Sequence, residues 1–427
     1  MTQPRPEMAC ANCLTPLNTL GDSYIHPVGF RPGHGHQPVP VPVTSLDTVR
    51  RTCDFCGDPH PVWTITGDTL TAVITSTDGG LVQNYGDRWA TCALCYQDIT
   101  QHRLDRISQR ALRLLPTLEP GVQARVTQLH RSFLTGLQPG RALITTTAWP
   151  HTTITARDLP RIRDRLLRLL RGTITLPAHL SIDRPELADR LEQSRLYWVD
   201  PTFTNLATAA TPRLPNTALH PSLIPGDVGI LAWAEPIGHT AAITWSTHDT
   251  AIHLVRYRTI GSGLDQHVQQ HIREDIGWLA PISTHILPLD AEINPRDHAG
   301  IAVTLATWLL MGQQVAESPA ADLDKPTRKR YTRSYRPLPD VRLVRLRTAD
   351  QAPPGGQPHR QPADRATPAE RVWVTGHWRA QPYGPGRTLR RPVYIHPHLR
   401  GPDDAPIKLS TTVRVLANPP ASTNTNE

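Results

Sequence analysis

The sequence predicts an α+β protein with a zinc-ribbon-like β region at the N-terminus, a helical segment, an antiparallel β meander with helices, and a small C-terminal β unit. Three observations lead to this class. All six cysteines lie in Cys-x-x-Cys pairs within the first 95 residues. Apolar residues recur every three or four positions between residues 100 and 200, and apolar and polar residues alternate from Asp227 onward.

Changes in composition and periodicity divide the 427 residues into six segments. They are a zinc-binding region (1–100), a helical region (101–200), an α+β domain (201–320), a basic linker with one strand (321–370), a small basic β unit (371–417) and a disordered tail (418–427). The linker and the tail are assigned from a composition that is too polar, or too rich in Pro and Gly, to bury a core.

Two β-branched runs predict a hairpin in the zinc-binding region. Residues 62–66 and 70–75 flank Gly67-Asp68, a dipeptide typical of a tight turn. Asp78-Gly79-Gly80 supplies a second turn signal shortly afterwards.

Three apolar stripes predict helices in the second segment, because each keeps a spacing of three or four residues. They run through Leu104, Ile107, Ala111 and Leu114, through Val122, Val126, Leu129, Phe133 and Leu137, and through Leu159, Ile162, Leu166 and Leu170. Asp183 before Arg184 and Pro185 predicts a helix start. The arginines on these helices are interpreted as solvated faces, namely Arg161, Arg163, Arg165 and Arg168.

Strand patterns resume after Asp227. Residues 229–234, 241–246 and 251–257 alternate apolar and polar positions, and a turn lies at 247–250. This alternation predicts an antiparallel meander with one face in water. Residues 264–315 are predicted as helix, ending in an apolar run, and residues 341–347 as a strand.

The pairs Cys53/Cys56 and Cys92/Cys95 predict a four-cysteine zinc site. Two thiolates three positions apart on a tight turn point at one centre, and two such turns complete a tetrahedral shell. The stretch between the pairs exceeds the usual ribbon spacing of about 15–20 residues. A β-hairpin would fill that length and bring the pairs together. A thioredoxin-like redox pair is the alternative, although neither pair opens an evident βαβ helix.

The remaining pair, Cys10 and Cys13, needs two further ligands. Histidines follow at His26, His34 and His36. We predict a site made of Cys10, Cys13, His26 and either His34 or His36. We prefer His36, because glycines on both sides of His34 are typical of a flexible approach.

Two alternatives stay open for Cys10 and Cys13. They are idle thiols beside loop histidines, or they join Cys53 and Cys56 in an interleaved site. Closed four-ligand shells leave no position for water, so we expect two structural zinc ions per chain and no catalytic metal.

Positive charge is concentrated toward the C-terminus. From Lys325 to Arg400 the sequence has 17 Lys and Arg against 4 Asp and Glu, whereas the net charge of the whole chain is +8. Such a block favours anionic partners, nucleic acid first. The alternative is a solvated basic linker.

The segment 371–402 predicts strands at 372–374 and 393–395, with a Gly-Pro loop at 384–386. Its arginines and aromatic residues predict a nucleic-acid patch, in which guanidinium groups contact phosphates and rings stack on bases. The predicted patch contains Trp378, Arg379, Arg387, Arg390, Arg391 and Arg400, with Tyr383 beside them. The alternative places Trp378 in the core of the β unit and the arginines at its rim.

Both ends of the chain resemble known sequences. Gly376-His377-Trp378-Arg379, followed by Tyr394-Ile395 and Gly401-Pro402, resembles the C-terminal motif of uncharacterised proteins from actinobacteria, their phages and mobile elements. The two Cys-x-x-Cys pairs with Trp63 between them resemble the zinc-knuckle N-termini of that group, and the apolar residues 306–310 resemble a helix found there. These segments cover about a third of the chain and imply no established activity.

A more distant similarity links the tail to type V anti-CRISPR proteins thought to act on nascent effector chains and their messenger RNA. This chain has a single Gly-His-Trp and lacks their fuller His-Trp repeats. No catalytic residue follows from the resemblance.

Together these features predict a zinc-stabilised, non-enzymatic binding or regulatory protein of a phage or mobile element. Its partner would be nucleic acid or a nucleic-acid-bound protein. One alternative is a protein-interaction module that docks on a host protein. Another is a metal-dependent enzyme using His377, His396, His398, Asp403 and Asp404. No P-loop, Gly-x-Ser-x-Gly, His-Glu-x-x-His or Rossmann motif occurs, so neither an enzyme nor a small-molecule substrate is favoured.

The sequence also predicts a cytoplasmic protein without a membrane partner. The first residues are polar and lack the apolar region of a secretory signal. The longest apolar stretch, residues 300–311, is well short of the ~20 residues that a membrane span needs.

Overall fold

The computed structural model describes residues 7–20, 22–27, 35–76, 79–113, 121–347, 371–402 and residue 406. The predicted disordered tail 418–427 and residues 348–370 of the predicted linker lie outside these ranges. The α+β class that the sequence predicts is confirmed. Within the described ranges, no helix is both long and apolar enough to cross a membrane.

The N-terminal part of the chain combines short strands with one long hairpin and three helices. Its strands are β1 (Met8–Cys10), β2 (Asn18–Leu20), β3 (Ser23–Ile25), β4 (Pro40–Pro42), β5 (Trp63–Ser76), β6 (Gly79–Thr91) and β7 (Ala142–Leu143). Its helices are α1 (Ala93–Thr100), α2 (Leu104–Leu112) and α3 (Val122–Thr135).

The middle of the chain alternates helices and strands. Its helices are α4 (Leu159–Arg171), α5 (Arg184–Glu192), α6 (Pro201–Ala210), α7 (Gln266–Asp275), α8 (Ala299–Met311) and α9 (Lys325–Arg333). Its strands are β8 (Arg195–Val199), β9 (Thr217–Ala218), β10 (Val228–Ile237), β11 (Thr240–Thr247), β12 (Ala251–Thr259), β13 (Leu279–Pro288), β14 (Glu292–Ile293), β15 (Ala316–Glu317) and β16 (Val341–Leu346). The C-terminal strands are β17 (Val372–Val374), β18 (His377–Tyr383), β19 (Leu389–Ile395) and β20 (His398–Arg400).

A seven-stranded mixed sheet organises the middle of the chain, in the order β13-β12-β11-β10-β8-β16-β15. Strand β8 runs parallel to both β10 and β16, and the other neighbours are antiparallel. The sheet therefore joins strands from the predicted helical region, the predicted α+β domain and the predicted linker. Three predicted strands of the meander and the strand at 341–347 are confirmed.

Both faces of this sheet are covered by helices, so the predicted wet face is wrong. Along β10, Ile230 and Ala232 pack with α4, α5 and α7, whereas Leu231 and Trp233 pack with α6 and α8. The positions that suggested water exposure are satisfied inside the protein instead. The Thr244 hydroxyl, for example, lies 3.1 Å from the Tyr257 hydroxyl.

The predicted helix over 264–315 is correct for α7 and α8 but wrong for β13 between them. Gly277, with a φ of +99°, follows α7 and reverses the chain. Strand β13 then pairs with β12 at the edge of the sheet. Its prolines are compatible with an edge position, where no further strand needs their missing N–H.

The apolar stripes correctly locate α2, α3 and α4, and Asp183 before Arg184 and Pro185 correctly locates the start of α5. Helix α4 buries Leu159, Ile162, Leu166 and Leu170, the four residues of its predicted stripe. The Asp183 carboxylate accepts a hydrogen bond from the Glu186 amide at 3.1 Å and caps α5.

The predicted hairpin exists, but its turn is not at Gly67-Asp68. Strand β5 continues through this dipeptide with a register shift, and β6 begins at Gly79, close to the second turn signal. Asp78 itself lies outside the described residues. A Cβ on Gly67 would lie 3.0 Å from the Phe133 ring, so the glycine serves close packing against α3 rather than a turn.

Gly229 in β10 provides a test of the sheet packing. We expect Gly229→Ala to lower the free energy of unfolding by about 1–3 kcal/mol, because the new methyl group would overlap the Trp245 ring. The midpoint of urea unfolding measures the change. Gly312→Ala is the matched control, since a Cβ there meets its nearest neighbour at an ordinary 3.7 Å. Equal stability of the two variants would contradict the packing.

Candidate metal centres and C-terminal basic face

The first pair of the four-cysteine group lies in a tight turn just before β5. The Gly57 amide donates to the Cys53 carbonyl at 2.7 Å, and the Cys53 amide donates to the Asp58 carbonyl at 2.8 Å. Gly57 has a φ of +70°, which lets the chain turn back under the two sulfurs. Cys53 and Cys56 therefore face one point.

The second pair lies at the start of α1. Cys92 is the N-cap residue, and its sulfur accepts a hydrogen bond from the Cys95 amide at 3.4 Å. The β5–β6 hairpin brings this helix start to the first pair, because Trp63 at its beginning pairs with Thr91 at its end. The long stretch between the two pairs thus forms a hairpin that brings the pairs together, as the sequence predicts.

The distances fit a tetrahedral ion better than a disulfide. The Cys56 and Cys92 sulfurs are 3.7 Å apart, and all four sulfurs lie within 4.8 Å of one another. A tetrahedral shell with metal–sulfur bonds of about 2.3 Å requires sulfur–sulfur distances of about 3.8 Å. A disulfide would need about 2.05 Å. All four residues are buried, so the group could hold a metal ion out of contact with water.

Four thiols in one buried place titrate very differently. Hydrogen bonds from Cys53, Cys92 and Cys95 lower the pKa of the Cys56 thiol. Burial raises the pKa of Cys53 well above its ordinary value. Four thiolates this close together repel one another, so a metal ion among the sulfurs would stabilise the fully ionised group.

Arg110 on α2 contacts the four-cysteine group, and the sequence analysis did not identify it. Its guanidinium donates to the Cys95 sulfur at 3.3 Å and to the Asp98 carboxylate at 2.6 Å. Burial works against its charge, yet the contacts with Cys95 and Asp98 raise its pKa above the ordinary value. Its position one turn after the buried Ile107 is the only sequence signal that it faces inward.

Mutation of Arg110 tests whether its contact with the Cys95 sulfur supports metal binding. We expect Arg110→Ala to weaken metal binding by about 10–100-fold, because the negative charge left on a four-thiolate group loses its nearest cation. Competition with a chromophoric chelator measures the affinity. Arg106→Ala, an exposed arginine on the same helix, is the control. Equal metal retention in the two variants would argue against the role of Arg110.

The second group joins Cys10, Cys13, His26 and His36, the set preferred from the sequence. Cys10 ends β1, which pairs with β4, and His26 directly follows β3. The Cys10 sulfur lies 3.3 Å from Nε2 of His36, and the Cys13 sulfur lies 3.4 Å from Nε2 of His26. His34 lies outside the described residues. In this structure Cys10 and Cys13 do not join Cys53 and Cys56, so the interleaved arrangement is wrong.

The surroundings of Cys10 favour its thiolate. Burial opposes ionisation, but backbone hydrogen bonds and the His36 ring together lower the pKa of the Cys10 thiol to about 5. One backbone donor is the Val39 amide, 3.5 Å from the sulfur. A thiolate with two imidazole nitrogens and a second sulfur around it could hold a metal ion.

At the other end of the chain, Trp378 anchors the β18–β19 hairpin. Its indole N–H donates to the Ala210 carbonyl at 3.0 Å, and its ring packs edge-on against Tyr394 at 5.2 Å. Arg213 also holds this unit, donating to the Gly376 carbonyl at 2.7 Å. Trp378 thus packs against the layer of α6 and α8 and is half-buried there.

The opposite face of the hairpin is exposed. Arg379 and Arg391 lie on this face together with Tyr383, as the strand register requires. The Arg391 guanidinium is 5.5 Å from the centre of the Tyr383 ring, and Arg379 donates to the Gln381 side chain at 3.1 Å. Two of the five predicted arginines therefore share one surface with an aromatic ring; we call these three residues the tail face.

The other predicted arginines lie elsewhere. Arg390 belongs to the Trp378 side of the hairpin and donates to the Arg387 carbonyl at 2.7 Å, while Arg387 forms the turn with a φ of +56°. Arg400 is exposed on β20, opposite Val372.

The predicted enzymatic histidines do not form a ligand group within the described part of the chain. His377 and His398 are exposed, and each ring contacts a nearby backbone carbonyl, that of Thr375 and that of His396. Asp403 and Asp404 lie outside the described residues.

Comparison of the chain with protein-family models, with curated proteins and with solved structures finds no match. The resemblances of the two ends stay predictions, and the geometry above carries the functional argument.

Proposed function

We propose that the protein is a zinc-stabilised nucleic-acid-binding protein that acts as a regulator and not as an enzyme. The observation that carries the proposal is the tail face. Trp378 fixes the hairpin from behind, and Arg379 and Arg391 are exposed beside Tyr383 on its front. Guanidinium groups neutralise phosphates and an aromatic ring stacks on a base, so this face suits nucleic acid.

Zinc is the metal we propose for both groups, because closed shells of thiolate and imidazole are its usual structural environment. Such shells leave no open position, which favours a structural role. We place the protein in the cytoplasm, where thiols stay reduced. The resemblance to proteins of actinobacterial phages and mobile elements fits regulation of a nucleic-acid process.

Metal analysis tests the first half of the proposal. We expect two zinc ions per chain in the unmodified protein. His26→Ala should lower the ratio to one, because it removes a ligand from one group only. His102→Ala, an exposed histidine outside both groups, should leave two. A ratio of one before mutation, or of two in His26→Ala, would contradict the assignment.

Charge reversal tests the second half. We expect Arg379→Glu with Arg391→Glu to weaken binding to labelled DNA by about tenfold or more at low salt. Each lost phosphate contact also removes about 0.7–0.9 from the slope of log K against log salt. Fluorescence anisotropy at several salt concentrations measures both quantities.

The control carries the same charge change on another surface. Arg125→Glu with Arg131→Glu alters two exposed arginines of α3 and should leave the affinity and the slope nearly unchanged. If both double variants bind alike, or if affinity does not depend on salt, the tail face does not bind phosphates.

A further inference from the structure

A row of arginines follows one side of α4. Arg157, Arg161, Arg165 and Arg168 are spaced by four, four and three residues, and the opposite side of the helix is buried against the sheet. Arg157 lies in a short 3-10 helix before α4, and the other three lie on α4, where a rise of about 1.5 Å per residue places neighbours about 4.5–6 Å apart along the axis. Arg157, Arg161 and Arg168 are exposed and Arg165 is half-buried. We call these four residues the α4 row.

Helix α9 lies beside this row and adds positive charge to it. The buried Tyr331 joins the two helices, since its hydroxyl lies 2.8 Å from the Asp164 carboxylate and accepts from Arg163 at 3.0 Å. Arg330 and Arg336 pair with the same Asp164 at 3.3 Å and 3.1 Å. One carboxylate thus serves several guanidinium groups.

Hydrogen bonds from Thr327, and then the charges of Arg161 and Arg157, lower the pKa of Asp324, so this carboxylate offsets part of the charge of the α4 row. Within the described part of the chain, none of its four arginines forms an ion pair. The nearest acids are engaged as helix caps, with Asp158 accepting from Thr155 at 3.0 Å and Asp324 from the Thr327 amide at 2.9 Å. Burial, and then repulsion by Arg168, lower the pKa of Arg165. Arg165 donates to the Glu274 carbonyl at 2.8 Å, and an anion bound along the row would offset the repulsion that is left.

An exposed aromatic residue directly follows α9. The Tyr335 side chain is 98% exposed, and its backbone has a φ of +51°, which is uncommon for a residue other than glycine. The conformation is fixed by hydrogen bonds from the Tyr335 amide to Thr332 and from the Arg336 amide to Tyr331, at 3.1 Å and 3.0 Å. The Tyr335 ring therefore does not pack in the core, and the backbone hydrogen bonds fix its position near the end of α9.

Arg336, the residue that follows Tyr335 in the chain, lies on the same positively charged surface as the end of the α4 row. Arg336 lines a concavity of about 400 Å³ together with Arg168 and Arg171, and the carboxylates of Asp164 and Glu192 line it as well. The end of the α4 row and the guanidinium of Arg336 therefore lie in one region of the surface, and Tyr335 directly precedes Arg336 in the chain. Basic tracks with free aromatic rings are the pattern by which proteins hold single strands.

We propose that the α4 row and Tyr335 form a second binding surface, for single-stranded nucleic acid. Phosphates contact Arg161, Arg165 and Arg168 along the helix, and an unpaired base stacks on Tyr335. A duplex has no unpaired base for this ring, so the surface favours the single strand. The inference shares its ligand class with the proposed function but not its residues, so each can fail alone.

The test uses the full chain with its metal and a labelled single-stranded DNA oligonucleotide. Arg161→Glu with Arg168→Glu should weaken binding about tenfold or more and reduce the salt slope by about 1.4, at about 0.7 per contact. Tyr335→Ala should weaken binding about tenfold, whereas Tyr335→Phe keeps the ring and should bind normally. The α3 double variant, Arg125→Glu with Arg131→Glu, is the charge control.

Several outcomes would overturn the inference. They are equal weakening by the α3 control, tighter binding of the matching duplex, or equal loss in Tyr335→Phe and Tyr335→Ala. Weaker binding in the tail-face variant alone supports the proposed function and overturns this inference. Weaker binding in the α4 variant alone supports this inference and overturns the proposed function. Unchanged binding in every variant overturns both. Metal content checks that each variant is folded.

Discussion

Four sulfur atoms held within 4.8 Å of one another inside an aromatic core are the constraint on which the N-terminal region depends. Protonated, they crowd one another; ionised, they repel. A cation at their centre removes both costs, and its binding free energy becomes folding free energy. The core around them is small, with Trp89 stacked on Phe133 at 4.2 Å and Phe55 beside both.

Two buried arginines of β12 join the N-terminal region, which contains both cysteine groups, to the central sheet. Arg256 is held by the Asp47 carboxylate at 2.9 Å and 3.3 Å, and by the Thr240 hydroxyl at 2.8 Å. Arg258 donates to the carbonyls of Asp47 and Thr147. A buried guanidinium that lost these acceptors would be strongly destabilising. The N-terminal region is therefore a fixed part of the molecule in this structure and contributes to covering the sheet.

These arginines also show where sequence reasoning reached its limit. Cysteine spacing predicts both ligand groups, because metal geometry restricts which residues can meet. Helical periodicity predicts α4, because its apolar stripe has one partner, the sheet. The polar positions of β12 suggested water, but they face Asp47, about 200 positions away in the chain. No local pattern contains such a partner.

The same limit explains Gly67 and Trp378. Gly67 looked like a turn, yet it makes room for a ring on α3, and Trp378 looked like a stacking platform, yet it binds a carbonyl at the end of α6. In each case the residue type indicated a special role, but the sequence did not show which residue it contacts. Arg110 was missed for the same reason, since its sulfur acceptor is identified only once α1 and α2 pack together.

The position of β8 has a consequence for folding during synthesis. The four cysteines Cys53, Cys56, Cys92 and Cys95 are synthesised early, so the N-terminal region can fold around them while the rest of the chain is still being translated. Strand β8 pairs with β10 on one side, but its other neighbour, β16, is not made until the ribosome has passed α9. Until then β8 presents an unpaired edge in the middle of the final sheet. The nascent chain thus keeps an open sheet edge from the time that β10 pairs with β8 until β16 has been made.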